Sequence, residues 1–269
     1  MQKMQNLNHP NVSGIKYEKN TVFSIFHNDY FVRICYNCRN CASITTNGGI
    51  ISMKSAESFF RWAFNTRAEN VLKMYNGEMS SPEKVFLSFC SHDPAFVSYG
   101  PAGLNASIKG IGFLPKDEYL EETLEAYINH IKTWDPEDKT YAKRGLEVLV
   151  KYMYGDEARD RIDFTKVGSL EMAKKHSYAN YKVNPEATLI FYQPPAISYE
   201  LRGKMEIYDE CDSGKREIYQ QFINAQHDVY HQPDMSRWLT RPAYIFRIEE
   251  VFDNCVSRDG FGTKMIYPY

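Results

Sequence analysis

Residues 197–208, "ISYELRGKMEIY", set Ile197, Tyr199 and Leu201 against Ser198, Glu200 and Arg202 in strict alternation, with Gly203 at the centre. Alternation at period two sends one set to a buried face and the other to solvent, so the segment is a half-buried strand. A glycine inside such a strand marks a bulge or a bend, the device that lets a sheet coil into a small barrel. The surrounding segments supply the other walls. "IDFTKVG" and "ATLIFYQ" read as strands around a short helix in "SLEMAKKHSYANYKVN". A helix follows at "GKREIYQQFINAQHDVYH", then a strand at "PAYIFRIEEVFDN" and a tail at "GFGTKMIYP".

Upstream the chain opens β-rich. "TVFSIFHNDYFVRICYN" reads as two short strands about an "HND" turn that includes His27, and "TTNGG" turns the chain into a further strand at "IISM". From Ser55 onward Phe59, Phe60, Ala63, Phe64, Val71 and Leu72 recur at three- and four-residue steps, which predicts an amphipathic helix. "VFLSF" and "AFVSYG" read as the two strands of a hairpin across "SHDP", and the glycines from Gly100 to Gly112 read as loop. Two helices follow. One carries Leu120, Leu124, Tyr127, Ile128 and Ile131 on one stripe, with His130 at the surface or an interface; the other starts with Asp135 as N-cap and Pro136 at the first helical position. The expected organisation is a β-rich segment over 1–54, a hairpin plus helical insertion over 55–159 and a barrel core over 160–269, or one continuous domain.

Charge excludes some function classes. The formal net charge is -2, too balanced for general affinity to nucleic acid or an anionic membrane. No apolar run approaches the roughly 20 residues of a membrane helix, and the N-terminus lacks the basic-then-apolar order of a secretory signal, so the expectation is a cytoplasmic protein. Cys35, Cys38 and Cys41 in "CYNCRNC" have spacing at which thiolates converge on one metal, but neither a fourth Cys followed by Pro nor a second CxxC pair completes an iron–sulfur or zinc set. Reduced thiols and no metal are expected. Cys90 and His92 would share a strand face as a nucleophile pair, with no oxyanion donor or third member in view. His227 and His231 stand at i and i+4 on one helix face, with Asp228 on another; they lack the Glu and third ligand of a zinc site, and a polar helix end is the favoured reading. Arg237 and Trp238 follow, read as contacts to a flat ring ligand or a dimer partner, with core packing at least as good a reading of Trp238.

The stretch "KKHSYANYKVNP", residues 174–185, concentrates positive charge and hydrogen-bonding groups just before a buried strand. Lys174, Lys175 and Ser177 at the start of a helix have the chemistry of an anion site, with a phosphate as the natural occupant. Two adjacent helical lysines point about 100 degrees apart, so one reaches the ligand and the other is solvated. Asn184 and Pro185 are assigned to chain reversal.

The order of these motifs resembles the flavin-binding split β-barrel family related to pyridoxamine 5'-phosphate oxidase. The matching residues are Lys174, Lys175, His176 and Ser177, then Asn180, Asn184 and Pro185, then Arg202, Gly203, Lys204 and Glu206, within roughly residues 160–269. The resemblance implies an α+β fold with a split β-barrel of FMN-binding type and a helical insertion or subdomain. It implies FMN as cofactor, bound through Lys174, Lys175, His176, Ser177 and Asn180, a homodimer, and an oxidoreductase acting on a small molecule. It leaves the catalytic residues unknown. The alternatives are a non-catalytic flavin, deazaflavin or haem binding or sensing protein, with His176, His227 or His231 as an axial ligand, and an interaction protein without cofactor that uses the helices at 116–154. In the family a hairpin precedes the basic segment closely. Here the candidate at 85–99 is separated from it by two long helices, so either those helices are inserted or the N-terminal strands open the barrel.

Overall fold

The structure is a computed structural model that describes residues 22–27, 30–38, 41–46, 49–79, 81–90, 93–209, 215–258 and 260–269. The chain divides into two compact units, Met1–Met53 and Lys54–Tyr269. The first carries β1 (Val22–His27), β2 (Tyr30–Cys38), β3 (Cys41–Thr46) and β4 (Gly49–Lys54), a four-stranded sheet in that order. Cys35 and Cys38 fall on β2 and Cys41 on β3, with Cys38 in register with Cys41; their side chains, like that of His27, lie outside the described residues.

The second unit opens with α1 (Glu57–Phe60), which runs through a π-helical stretch at Arg61–Asn65 into α2 (Thr66–Tyr75). This is the helix that the three- and four-residue apolar spacing predicts. The segment "VFLSF", predicted as a strand, lies instead in α3 (Pro82–Cys90). The physical reason is legible at its start: Pro82 takes the first helical position, where its missing N–H costs nothing, and the Ser81 hydroxyl accepts the Lys84 N–H at 3.4 Å. The predicted Cys90 and His92 strand pair fails with it, since Cys90 ends a helix; His92 lies outside the described residues.

The hairpin is one element further on. It joins β5 (Ala95–Gly100) to β6 (Gly103–Ile108), and Gly103 sits at φ +78, a conformation that favours glycine. So the glycine-rich stretch predicted as loop is largely strand, ending in β7 (Gly112–Pro115). Two helices, α4 (Asp117–Ile131) and α5 (Tyr141–Leu149), then separate β7 from β8 (Ile162–Leu170). The second helix starts five residues later than Pro136. The Asp135 carboxylate accepts the Glu137 N–H at 2.9 Å and Asp138 accepts that of Thr140 at 2.8 Å, so consecutive side-chain turns hold this stretch out of the helix. His130, expected at the surface or an interface, is buried within the unit and stacked on Tyr141 with centroids 4.4 Å apart.

The remaining elements are α6 (His176–Tyr181), β9 (Glu186–Gln193), β10 (Ile197–Tyr208), α7 (Lys215–Asp228), β11 (Ala243–Asp253) and β12 (Thr263–Lys264). One sheet runs in the order β6-β5-β9-β10-β11-β8-β7, with β12 added to β11. Its pairings are antiparallel. The hairpin at 95–108 therefore belongs to the same sheet as the C-terminal strands, and the helices interrupt that sheet's chain order. The architecture is α+β, and the sheet fits the split barrel expected from the sequence.

The β10–β11 register shifts between Arg202 and Gly203, the bulge that the central glycine predicts. A Cβ at Gly203 would lie 1.9 Å from the Arg247 carbonyl oxygen, so only glycine lets the two strands approach there. Aromatic rings fill the core between the first helix and the sheet. Phe59 packs edge-on to Phe191 at 5.1 Å and to Tyr199 at 5.2 Å, and Phe64 meets Phe113 at 5.2 Å. Helix α7 covers β7 and β8, where Gly112 and Gly168 leave room for Gln226 and Ile223. Among the described residues, no helix is long and apolar enough to cross a membrane.

Candidate functional site

The segment from β8 to β9 holds the residues that the sequence nominates. It begins at Glu171, 2% exposed. Its Oε2 accepts from Lys109 Nζ at 3.0 Å and the Tyr244 hydroxyl at 2.7 Å; its Oε1 accepts the N–H groups of Ala173 at 2.7 Å and Lys174 at 2.8 Å. Burial opposes the charge, but Tyr244, the Ala173 N–H and Lys109 outweigh it and hold the carboxyl below its usual range. The chain thus curls around its own carboxylate, with Lys174 at φ +48 in the left-handed region.

The five nominated residues divide into two groups. Lys174, Lys175 and His176 are exposed, but the lysines precede α6, Lys175 as its N-cap, so they are not the adjacent helical pair that the sequence suggests. Ser177 and Asn180 are buried and bonded to the β5–β6 hairpin. The Ser177 Oγ accepts from Asn105 Nδ2 at 2.9 Å and lies 3.0 Å from Ser107 Oγ. Asn180 Oδ1 accepts the Ala102 N–H at 2.8 Å, while its Nδ2 donates to Ser98 Oγ at 3.1 Å and to the Gly103 carbonyl at 2.8 Å. Asn184 forms the turn assigned to it, its Oδ1 accepting the Glu186 N–H at 3.1 Å and its Nδ2 donating to the Tyr99 carbonyl at 2.9 Å.

An FMN phosphate fits this donor set through the exposed ammonium groups and the His176 imidazole. Ser177 and Asn180 are engaged by the hairpin, and the Ala173 and Lys174 N–H groups by Glu171. Lys109 and Glu171 had no signal in the sequence, because nothing in a 62-residue separation announces an ion pair.

A second arrangement adjoins the first, since Gly110, Leu170 and Met172, the chain neighbours of Lys109 and Glu171, line it. Between α2, α7 and the β7–β8 edge is a cleft of about 290 Å³. Val71, Ile111, Leu149 and Ile223 line its apolar part; Arg67, Asp93, Ser169, His227 and His231 its polar part. His227 Nδ1 lies 2.8 Å from Oδ1 of Asp228, a buried carboxylate whose Oδ2 accepts Trp238 Nε1 at 2.8 Å and the Asp234 N–H at 3.1 Å. Arg241 stands 3.6 Å from the same carboxylate. Burial works against the Asp228 charge, but the His227, Trp238 and Asp234 donors outweigh it and hold the carboxyl below its usual range.

The rings of His227 and His231 are 5.0 Å apart between centroids, as the i, i+4 spacing predicts, although α7 ends at Asp228. Sequence spacing assigned Asp228 to a different face and so missed its contact with His227. Trp238 is core, anchored through its indole N–H, and Arg237 is exposed and paired with Asp234 at 3.0 Å. Among the described residues, no group of three or more His, Cys, Asp or Glu side chains is arranged to hold a metal ion.

No protein-family model and no curated protein sequence matches the chain. Among solved structures, it is similar to an epitope-tagged HupZ of Group A Streptococcus at 11% identity, over 70% of this chain and 100% of that one, with a TM-score of 0.35. It is similar to an F420 reductase at 14% identity, over 61% of this chain and 94% of that one, with a TM-score of 0.32.

Proposed function

We propose that this chain binds flavin mononucleotide and acts as an oxidoreductase on a small molecule, with the cofactor phosphate met by the Lys174 and Lys175 ammoniums and the His176 imidazole. The observation that carries this reading is the agreement of three motifs with one stretch of fold: the basic segment opens α6, Asn184 turns the chain into β9, and Gly203 bulges β10. A bound flavin would supply two-electron redox chemistry. The chain's own contribution is positional. Glu171 and Lys109 fix the approach to α6, and Ser177 and Asn180 fasten that helix to the β5–β6 hairpin, so the exposed cations are carried on a braced support. A homodimer is part of the same proposal, with the exposed apolar face of β5, β6 and β9 as the contact.

The test is the visible spectrum of the purified chain followed by titration with FMN. A charge-assisted contact to phosphate contributes about 1.5–3 kcal/mol, so the Lys174→Ala/Lys175→Ala double variant is expected to weaken FMN binding at least tenfold with the amide spectrum of the fold unchanged. Absence of binding to FMN would overturn the reading. Binding of a deazaflavin or haem instead would replace it with the storage or sensing alternative.

A further inference from the structure

We propose that the cleft between α2 and α7 is a ligand site in its own right, in which His227 Nε2 accepts a hydrogen bond from the O–H or N–H of a small, uncharged, largely apolar molecule, a phenol being the simplest example.

The argument starts behind the ring. Asp228 Oδ1 is 2.8 Å from His227 Nδ1, and the carboxylate also takes the Trp238 indole N–H and the Asp234 backbone N–H. An ionised carboxylate can only accept, so the shared hydrogen sits on Nδ1. A neutral imidazole with its hydrogen on Nδ1 presents a lone pair at Nε2, and His227 lines the cleft. A buried carboxylate fixing a histidine tautomer is the arrangement by which proteins aim an imidazole at a ligand.

Charge and shape then select the ligand. Arg67 stands 3.7 Å from Asp93 and Arg241 3.6 Å from Asp228, so formal charges cancel pairwise and neither an anion nor a cation gains from the local field. The walls contributed by Val71, Ile111, Leu149 and Ile223 favour an apolar body. At about 290 Å³ the cleft is at the small end of ligand sites, which run from roughly 300 to 1,000 Å³, and suits a molecule of one ring. Neither Lys174 nor Lys175 lines it, and phenol is titrated without flavin, so the outcome is read separately from that of the flavin test.

The experiment is nitrogen NMR of the imidazoles in the full chain, with phenol as the titrant. His227 is expected as the Nδ1–H tautomer. Added phenol is expected to shift its Nε2 resonance and the Gly112 and Ser169 amides together and to saturation. Acetate and ammonium at the same concentrations are expected to give no saturable shift. His227→Phe, with a dispersed amide spectrum, is expected to weaken phenol binding at least tenfold. Met172→Trp, at an exposed position on the rim, is the second variant; it narrows the mouth without touching Asp228 and is expected to weaken binding as well. An Nε2–H tautomer, phenol binding that survives both variants, or equal binding of acetate would each overturn the proposal.

Discussion

Asn180, the penultimate residue of α6, accepts the Ala102 N–H on its Oδ1 at 2.8 Å. The same amide donates to Ser98 and Gly103, so one side chain ties helix α6 to both strands and the turn of the β5–β6 hairpin. Gly100 takes part in this fit, since a Cβ there would lie 2.9 Å from the Asn180 Cα. The contact makes the approach of hairpin and helix a fixed distance, and with it the position of the exposed lysines at the helix start.

Asn180→Ala is therefore expected to destabilise the chain by about 2–4 kcal/mol, because it deletes three hydrogen bonds, one of them to the buried Ser98 hydroxyl. Lys174→Ala, at an exposed position, is expected to stay within about 0.5 kcal/mol. Urea unfolding monitored by fluorescence separates the two. A near-neutral Asn180→Ala would mean that the amide is not the fastener described.

The contrast between these two residues also explains what the sequence could reveal. Alternation at 197–208 specified β10 and its bulge because strand periodicity and the glycine act over a few neighbours. The helix over 57–75 was equally legible from its apolar steps. The segment "VFLSF" was not, since a short continuous apolar run fits either a strand or a buried helix and the decision lay in the Ser81–Pro82 start. The site divides in the same way. Sequence picked out 174–180 as chemically dense, but which members would be exposed depended on Asn105, Ser107 and Ala102, 72, 70 and 78 residues from their partners, and no local pattern encodes that. The His227–Asp228 contact was missed because adjacent helical residues ordinarily point apart; it forms at the last residue of α7.

Gly203→Ala is expected to cost about 2–4 kcal/mol. The added Cβ would lie 1.9 Å from the Arg247 carbonyl oxygen, which is backbone of the paired strand and cannot swing aside. Hydrogen exchange is the discriminating readout: protection should fall in β10 and β11 around the bulge and persist in α4. Unchanged stability would show that the strands can separate there at no cost.

Glu171 gives a pH dependence of known sign. Its folded carboxyl titrates below the usual range, burial being outweighed by Tyr244, the Ala173 N–H and Lys109. A carboxyl depressed on folding contributes stability that is fully present above the unfolded pKa, roughly 4.3 for Glu, and is lost as pH falls through the lower folded value. Glu171→Gln is expected to be destabilising by about 2–4 kcal/mol at pH 7, leaving the half-buried Lys109 ammonium without its carboxylate. The gap between the two proteins should narrow as the pH drops below about 4. Denaturant midpoints of both, measured from about pH 7 to about pH 3, check this; a gap that is constant with pH would contradict it.

The last prediction concerns assembly. On β5, Tyr99 is paired with Leu104 of β6, and Ala95 with both Ile108 of β6 and Ile190 of β9, so these side chains share one face of the sheet. Tyr99 is 65% exposed, Leu104 78%, Ile108 69% and Tyr192 60%, a contiguous apolar patch of the kind that marks an interaction surface. On the adjoining β10, the same face carries Glu200 opposite Ile190 and Arg202 opposite Thr188. Charges of both signs beside an apolar centre suit a two-fold contact, in which each copy presents the same patch and opposite charges meet across the axis. A stable contact needs about 800 Å² from each partner, so loss of two central side chains should abolish it. Leu104→Lys/Ile108→Lys is expected to convert a dimer into a monomer at micromolar concentration, measured by light scattering after size exclusion, with the circular dichroism spectrum unchanged. A wild-type chain that is already monomeric, or a double variant that remains dimeric, would remove this face as the contact.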